Sequence, residues 1–498
     1  MRKNNAIDWV KLLWHVGLFA FMYIWFTQIH PLVVFDADDW SYISSARPAT
    51  PTIHQWNPAK VFPELLMPFC SGIAAYVIQP IIGDYVLSFT LVSAAVVSLF
   101  ISVYVYCFGS CLKSVMQIDE AESICLEILF FLFHFLVFFN HDTNNQYMFY
   151  CHDLNCYYNY LIPALLNSSM VMLMMRSMSK EGLSVKHSTP PRVTKSLIYM
   201  AIYFAVFSNL ADSYILAIYC GIAVLSALLS KNKDTWKTFI QKNEYSLLVL
   251  GLWVISAVFE ISGGRAAAKL GNNLSFVEGV KQSCIGLIAF LFRFNRFFAK
   301  IVIITIIVAL VLFIRSRNKD VEDKRFLSWQ TKLVFAALLA LVYTILLCAK
   351  VNAEYITRSD YLFGVYFYGL LILMIAVAYI IKKKPAVVYI LPLILCIVAA
   401  RCNTPERTFK ESNTINQDPR VCMEISRDLV EQVTAANNEG KNAMVLHVLK
   451  YDHPRNWPQA TYFGDYISRT LHKHGIVSER MEITVYPNVM MNEKYDID

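Results

Sequence analysis

Three carboxylates lie within four positions of the sequence VVFDADDWSYIS (residues 33–44), namely Asp36, Asp38 and Asp39. They follow directly after the first long apolar segment of the chain. Neighbouring carboxylates at such a position repel each other and are costly to remove from water, so they are more often functional than incidental. A carboxylate whose pKa is raised in this way can accept the proton of an attacking hydroxyl group. The motif therefore indicates general-base chemistry.

Basic and aromatic residues in other loops could complement these carboxylates. Arg and Lys bind phosphate and stabilise charge as a phosphate departs, and Tyr, Trp and Asn can stack on sugars or hydrogen-bond to them. The residues that we predict to contact substrate are Asp36, Trp40, Lys60, His152, Asp153, Arg265, Arg296, Tyr355 and Arg358. Ordinary roles compete with this interpretation, because Trp40 also suits an aromatic belt and Arg296 a side chain that reaches lipid head groups.

The composition decides which elements must position these residues. The chain has 498 residues, of which 56% are apolar and 16% charged, whereas soluble domains carry about 25% charged residues. Several runs approach the roughly 20 apolar residues that cross a bilayer. We predict an all-α polytopic membrane protein with about 11 transmembrane helices. The predicted spans are 8–28, 84–108, 123–139, 159–175, 196–211, 213–230, 246–262, 299–315, 333–350, 361–381 and 385–401.

The distribution of Lys and Arg predicts the topology. Loops 176–195, 231–244, 315–325 and 382–384 are dense in basic residues, whereas 140–158 has none. The positive-inside rule then places the N-terminus in the cytoplasm, with 8–28 as an uncleaved signal anchor. The apolar segment 284–298 would reverse this pattern if it crossed, so we interpret it as interfacial or re-entrant. The outer loops of the predicted membrane domain (1–402) are 29–83, 140–158, 263–298 and 350–360.

Residues 403–498 are polar and mixed, and they should lie outside the membrane after eleven spans. The patterns SRDLVEQVTAANNEG and ATYFGDYISRTLHKHG predict helices, and NAMVLHVLK and MEITVYP predict strands. This part of the chain is therefore predicted to be a small α/β extracytoplasmic domain.

These features together resemble the GT-C class of integral-membrane glycosyltransferases, which use polyprenyl-phosphate sugars as donors. The likeness is carried by Asp38-Asp39-Trp40 after the first span, the stretch from Asn57 to Pro68, the polar segment YYNYLIPALLN (157–167) and the run that begins at Arg358. It is similar to bacterial members that build surface polysaccharide, which implies a multi-pass protein of the bacterial inner (cell) membrane. The acceptor would be a surface glycan, a lipid or a protein.

The resemblance also implies roles for individual residues. Asp38 corresponds to the catalytic base, with Asp39 as the alternative, and the transfer would be inverting. Arg358 corresponds most closely to a residue that holds the donor phosphate. Lys60, Arg265 and Arg296 are further candidates for that role. Some members use a divalent metal, and three neighbouring carboxylates leave Mg²⁺ or Mn²⁺ open as a cofactor.

Two other functions compete with a glycosyltransferase. A lipid-linked glycan polymerase or ligase would depend on arginines of the outer loops. A polytopic transporter or flippase would place ionisable residues inside the spans, where Glu127 and His134 lie seven residues apart on one helical face. The net charge of +7 lies largely in short loops that orient the chain, and no nucleic-acid partner is expected.

Overall fold

The computed structural model describes residues 2–49, 58–138, 146–181, 192–229, 235–262, 275–316, 320–402 and 417–497. Apart from two short strands near the C-terminus, the regular secondary structure of these residues is helical. The helices and strands are α1 (Arg2–Ile24), α2 (Ala37–Tyr42), α3 (Pro63–Ile73), α4 (Tyr85–Met116), α5 (Glu120–Leu136), α6 (Ile162–Glu181), α7 (Arg192–Val206), α8 (Leu210–Leu229), α9 (Trp236–Lys242), α10 (Glu244–Ser262), α11 (Phe276–Leu291), α12 (Arg296–Arg315), α13 (Val321–Val351), α14 (Phe363–Lys383), α15 (Leu391–Cys402), α16 (Pro419–Asn438), β1 (Ala443–Val448), α17 (Phe463–Lys473), β2 (Glu482–Pro487) and α18 (Val489–Lys494).

Nine helical stretches in the described part of the chain are long and apolar enough to cross a membrane. They are Trp9–Ile29, Pro63–Ile82, Tyr85–Met116, Leu154–Ser179, Leu210–Leu229, Arg296–Arg315, Val321–Val351, Phe363–Lys383 and Pro385–Cys402. Helices α9 and α10 together pass the same test but meet at a bend of 78°. The prediction of an all-α polytopic membrane protein is therefore confirmed. The described residues contain nine such stretches, or ten if α9 and α10 are one span, where the sequence predicted about 11; Pro63–Ile82 was not among the predicted spans, and the helices at the predicted spans 123–139 and 196–211 are not among the nine.

Capping boxes begin three of the helices. The side chains of Asp36, Asp119 and Asp320 each accept the backbone N–H three residues on, and the acidic side chain at that position accepts an N–H in return. Such a box satisfies two backbone donors that the first turn of a helix leaves unpaired. Because of these caps, α5 and α13 begin before the apolar runs that predicted them.

Two groups of ion pairs distinguish the ends of the bundle. We call the end that carries residues 30–44 the proximal end. At the opposite, distal end, Glu120 pairs with Lys11 and Lys113. Lys383 pairs there with Asp320, at 2.5 Å. The distal pairs thus join the start of α5 to α1 and α4, and the start of α13 to the end of α14.

A helix longer than predicted runs through Pro63–Ile82. The mixture of Pro, Trp and apolar residues in HQWNPAKVFPELLMPF (54–69) predicts one or two short interfacial helices. The helix instead continues from α3 through a π-helical turn at Ala74–Ile78, a geometry that absorbs breaks in the i→i−4 bonding. The first turn of this helix and the residues just after its end both contact the 40–47 region. The Arg47 N–H donates to the Glu64 carbonyl (3.1 Å), and the Tyr85 ring stacks on Trp40 (6.2 Å).

Helix α11 covers the proximal ends of its neighbours. A Cβ at Gly279 would overlap the carbonyl of Ala349, and one at Gly286 would crowd the side chain of Ile356. Both partners belong to the end of α13 and the loop that follows it. These contacts place α11 beside the end of α13. The segment 284–298 is divided between α11, which ends at Leu291, and α12, which begins at Arg296.

A buried carboxylate joins three helices inside the bundle. Glu127 of α5 is fully buried. It accepts a hydrogen bond from Trp14 Nε1 (3.1 Å) and lies 3.3 Å from His15 Nε2, both on α1. The side chain fills the space that a Cβ at Gly109 of α4 would occupy. Because a bulkier residue at 109 would collide with this carboxylate, the glycine permits the approach of α4 and α5.

The C-terminal segment folds as predicted, with helix α16, strand β1, helix α17 and strand β2 in that order. The strands pair in parallel, from Ala443 with Glu482 to Val448 with Pro487. The amphipathic helices bury Leu446, Phe463 and Ile467 completely. This segment lies against the proximal end of the bundle.

Hydrogen bonds between residues distant in sequence hold the C-terminal segment in place. Ser426 Oγ donates to the Val34 carbonyl (2.7 Å), and the Ala37 N–H donates to the Pro458 carbonyl (3.1 Å). His474 Nδ1 bonds the hydroxyl of Tyr85 at 2.7 Å. These contacts join the C-terminal segment directly to the first loop and to the start of α4.

The burial of His474 predicts a pH-dependent stability. Burial, with the nearby charge of Lys473, lowers its pKa from 6.5 to about 4. The pKa of His474 is lower in the folded state than in the unfolded state, so the neutral ring contributes its full stabilisation above pH 6.5. This stabilisation decreases as the pH falls below 6.5 and is lost once the pH has fallen through about 4. The loss is about 3 kcal/mol at most. Thermal unfolding of the purified protein should therefore show a falling midpoint across this window, and a smaller fall for His474→Gln. The exposed His447 provides the control, because His447→Gln should retain the wild-type pH profile.

Candidate functional site

The three acids of the first loop have different environments. Asp36 and Asp39 are 1% and 0% exposed, whereas Asp38 is exposed. One carboxylate oxygen of Asp39 accepts the N–H of Phe35 (2.9 Å), and the other accepts the N–H of Asn155 (2.7 Å). Asp36 accepts the N–H of Asp39 (3.1 Å) as the helix cap. Asp39 and Asp36 therefore hold the loop in shape, and Asp38 is the acid that faces outward.

Burial also sets the protonation of the two structural acids. Desolvation, followed by the charges of Asp39, Asp153 and Asp38, raises the pKa of Asp36 well above its ordinary value. Desolvation and the charge of Asp153 raise the pKa of Asp39, although its backbone hydrogen bonds act in the opposite direction. The charges of Asp38 and Asp153 thus both act on Asp36.

The C-terminal segment covers this group from the other side. Burial and the nearby charges of Asp38, Tyr466 and Asp36 raise the pKa of Tyr462, while Arg455 acts in the opposite direction. The rings of Tyr462 and Tyr466 meet edge to face with centroids 5.5 Å apart. Asp38 is therefore accompanied by an aromatic pair and a cation that lie more than 400 residues away in the sequence.

Arg358 lies in a cage of aromatic rings. Its guanidinium carbon is 5.2–5.3 Å from the centroids of Tyr160, Tyr355 and Tyr361. Nε and Nη2 both donate to the carboxylate of Asp360, at 3.0 and 2.5 Å. The other nitrogen, Nη1, has no hydrogen-bond partner within the described part of the chain, and the side chain is 17% exposed. A held guanidinium with one N–H₂ group left over suits an anion such as phosphate.

A cysteine links the arginine to the acids. Cys156 Sγ lies 3.2 Å from Asp153 Oδ2 and 3.2 Å from Arg358 Nη2. Asp153 also caps the short helix Leu154–Cys156, whose Asn155 N–H bonds Asp39. The first loop, the second loop and the Arg358 segment therefore form one continuous network.

Lys60 and Asp212 lie beside this network. The Lys60 ammonium is 6.0 Å from the ring centroid of Tyr42. The charges of Asp360 and Lys60 both act on the carboxylate of Asp212 in the first turn of α8. The turn before α8 is joined to the second loop, since Asn209 Nδ2 donates to the Asn159 carbonyl (3.0 Å).

The remaining predicted residues have other positions. Trp40 is fully buried between Tyr85 and Phe463, with ring centroids 6.2 and 6.0 Å away, and it packs the C-terminal segment onto the first loop. His152 is half-buried against Tyr150, at 5.7 Å. Arg296 is exposed at the start of α12, and none of the hydrogen bonds or ion pairs of the described residues joins it to the acids. Arg265 lies outside the described residues.

The acids do not form a metal site. No group of three His, Cys, Asp or Glu side chains among the described residues could hold a metal ion. Asp36 and Asp39 direct oxygen atoms at backbone N–H groups, so these oxygens are not available as ligands. The arrangement of the three carboxylates therefore gives no support to the Mg²⁺ or Mn²⁺ that the sequence left open.

Sequence reasoning missed several members of the site. Asp360 stands two residues after Arg358, and an Arg-x-Asp spacing in an outer loop could have suggested the bidentate pair. Tyr462 and Arg455 had no local signal, because their role depends on how the C-terminal segment packs. Comparison of the chain with protein-family models, with curated proteins and with solved structures finds no match in any of the three.

The different environments of Asp38 and Asp39 predict different costs of mutation. Asp39→Ala would leave buried N–H groups of Phe35 and Asn155 without acceptors, and the expected destabilisation is about 2–4 kcal/mol. Asp38→Ala at an exposed position should change stability by about 0.5 kcal/mol or less. Thermal unfolding of both purified variants measures the difference. Equal destabilisation by the two would contradict the structural role assigned to Asp39.

Proposed function

We propose that the chain is a membrane glycosyltransferase that moves a sugar from a polyprenyl-phosphate donor to an acceptor hydroxyl at the proximal end of the bundle. The observation that carries the proposal is one network of loops that joins Asp39, the neighbour of the exposed Asp38, to the caged Arg358. Such a network combines a general base with a phosphate-binding group at the end of a helix bundle. A lipid-linked donor presents its phosphate and sugar at that depth.

In the proposed mechanism, Arg358 Nη1 and the Lys60 ammonium bind the donor phosphate. The rigid cage around Arg358 favours this role, since a guanidinium that is already oriented loses little freedom on binding. The positive charge also stabilises the phosphate as it leaves the anomeric carbon.

Asp38 would act as the general base. Its carboxylate accepts the proton of the acceptor hydroxyl, whose oxygen attacks the anomeric carbon from the face opposite the phosphate. The sugar–phosphate bond breaks with its electron pair on the phosphate, and the product has the inverted configuration. The neighbouring pair Tyr462 and Tyr466 offers apolar ring faces on which an acceptor sugar can stack.

The proposed topology has eleven crossings. Helices α3 and α11 both have their contacts at the proximal end and would lie along the membrane surface. The helices that would pass from end to end are α1, α4, α5, α6, α7, α8, α10, α12, α13, α14 and α15. An odd number of crossings, with a cytoplasmic N-terminus, would put the proximal end and residues 403–498 on the outer side of the membrane. The proposed membrane is the inner membrane of a bacterium.

A reporter that is active only outside the cytoplasm tests this topology. Fused after Asp498 it should be active, and fused within the basic loop 382–384 it should be inactive. An inactive C-terminal fusion would place Asp38, Arg358 and the C-terminal segment on the cytoplasmic side and would contradict a lipid-linked donor in the outer leaflet.

The proposed base is tested by Asp38→Asn. Release of polyprenyl phosphate from radiolabelled polyprenyl-phosphate hexoses should fall by about 10²–10⁴-fold in membranes that hold the full-length chain, because general-base catalysis contributes this much. Asp465→Asn is the matched control, since it removes an exposed carboxylate that pairs with Arg480 in the C-terminal segment. Full activity of a folded Asp38→Asn protein would overturn the mechanism.

The polymerase or ligase and the transporter have less support. Arg293 and Arg296 are exposed at the proximal end, but none of the contacts of the described residues joins them to the acids. Glu127 of α5 accepts hydrogen bonds from Trp14 of α1 and from Ser123 of its own helix. His134 bonds Tyr104 (3.2 Å) and its own helix. These intramembrane groups have protein partners, so we assign them to helix packing.

A further inference from the structure

One buried carboxylate at the proximal end has no hydrogen-bond partner in the described part of the chain. Asp212 is 1% exposed, and neither of its oxygens bonds to any group among the described residues. Other buried acids contrast with it: Asp39 accepts backbone N–H groups, Asp360 is held by Arg358, and Glu127 is bonded to Trp14. Burying a polar group without a partner costs free energy. The unpaired oxygens of Asp212 therefore indicate a ligand that donates hydrogen bonds to them.

Neighbouring groups restrict the chemistry of that ligand. Asn159 Oδ1 is a second buried oxygen without a partner, and its residue is joined to the turn before Asp212 by the Asn209 hydrogen bond. Both atoms are acceptors, so the ligand must donate hydrogen bonds. The nearby carboxylate of Asp360 would repel a phosphate or another acid placed directly against Asp212.

Lys60 does not fill the gap itself. Its charge acts on Asp212, yet among the described residues no ion pair within 4.0 Å joins the two side chains. Tyr160, the residue after Asn159, contacts both Arg358 and Tyr361. Asp212 and Asn159 thus lie beside the proposed phosphate-binding residues, at a position that the group attached to the phosphate would occupy.

We infer that Asp212 and Asn159 bind hydroxyl groups of the sugar that the donor carries. This inference rests on the proposed glycosyl transfer and extends it, because it assigns the first turn of α8 to sugar recognition. The ligand group is an uncharged polyol, in which each hydroxyl donates to an unpaired oxygen. Arg358 and Lys60 bind the phosphate next to it.

The test compares two probes on the purified full-length protein: a short polyprenyl phosphate, and the same lipid phosphate carrying glucose, mannose or galactose. The wild type should bind at least one sugar-bearing lipid more tightly than the bare lipid phosphate. Asp212→Asn should reduce that preference by roughly 10- to 100-fold, the effect of losing one or two hydrogen bonds to a charged group. It should leave the affinity for the bare lipid phosphate unchanged.

Stability provides a second measurement. Asp212→Asn removes a buried carboxyl group that has no hydrogen-bond partner among the described residues, so the variant should be at least as stable as the wild type without ligand. Asp323→Asn is the matched control. It removes a buried carboxylate at the distal end that is bonded to Ser316 and Tyr379, so it should lose stability and keep the sugar preference.

The outcomes separate the inference from the function on which it rests. If the wild type binds neither probe, the proposed glycosyl transfer fails. If the wild type prefers a sugar-bearing lipid and Asp212→Asn keeps that preference, only the role of Asp212 is overturned. A loss of stability in Asp212→Asn would likewise overturn the inference, since it would show that the carboxylate is structural.

Discussion

The carboxylate of Asp39 is the contact on which the proximal end depends. It accepts N–H groups of its own loop and of Asn155, so a single side chain joins the first loop to the second. Through Asn155 and Cys156 the same connection reaches Asp153 and Arg358. Because these backbone groups are buried, a residue without an acceptor at this position would leave donors unpaired in several segments at once. The neighbour, Asp38, is held facing outward by this arrangement.

The C-terminal segment closes the other side of the same loop. Thr470 Oγ1 donates to the carbonyl of Trp40 (2.9 Å), and the Trp40 ring packs against Phe463. These contacts explain why a tryptophan next to the acids is buried and does not face a ligand. They also bring Tyr462 to Asp38. The proposed acceptor region is therefore formed by two parts of the chain that are separated by the whole helix bundle.

Charge is distributed unevenly along the bundle, and the distribution distinguishes structural from functional groups. At the distal end, Asp323 and Glu120 each contact a lysine, at 3.0 and 2.6 Å for Lys383 and Lys11. At the proximal end, Asp39 is buried without a cation partner among the described residues, and neither oxygen of Asp212 has a hydrogen-bond partner there. An excess of desolvated acids costs stability. Proteins commonly retain such a cost where a ligand or a reaction requires it.

The sequence by itself determined the features that depend on local pattern. Apolar runs of sufficient length predicted most of the helices, and the alternation of patterns predicted the C-terminal helices and strands in the correct order, because both signals are contained in a few neighbouring residues. It also predicted that residues near 38, 153 and 358 share one side. Only the tertiary structure decided that Asp39 is structural while Asp38 is exposed, that Arg358 is held by Asp360, and that Pro63–Ile82 forms one helix despite its prolines. Those outcomes depend on which distant backbone groups and rings meet a side chain, and spacing along the chain carries no information about such contacts.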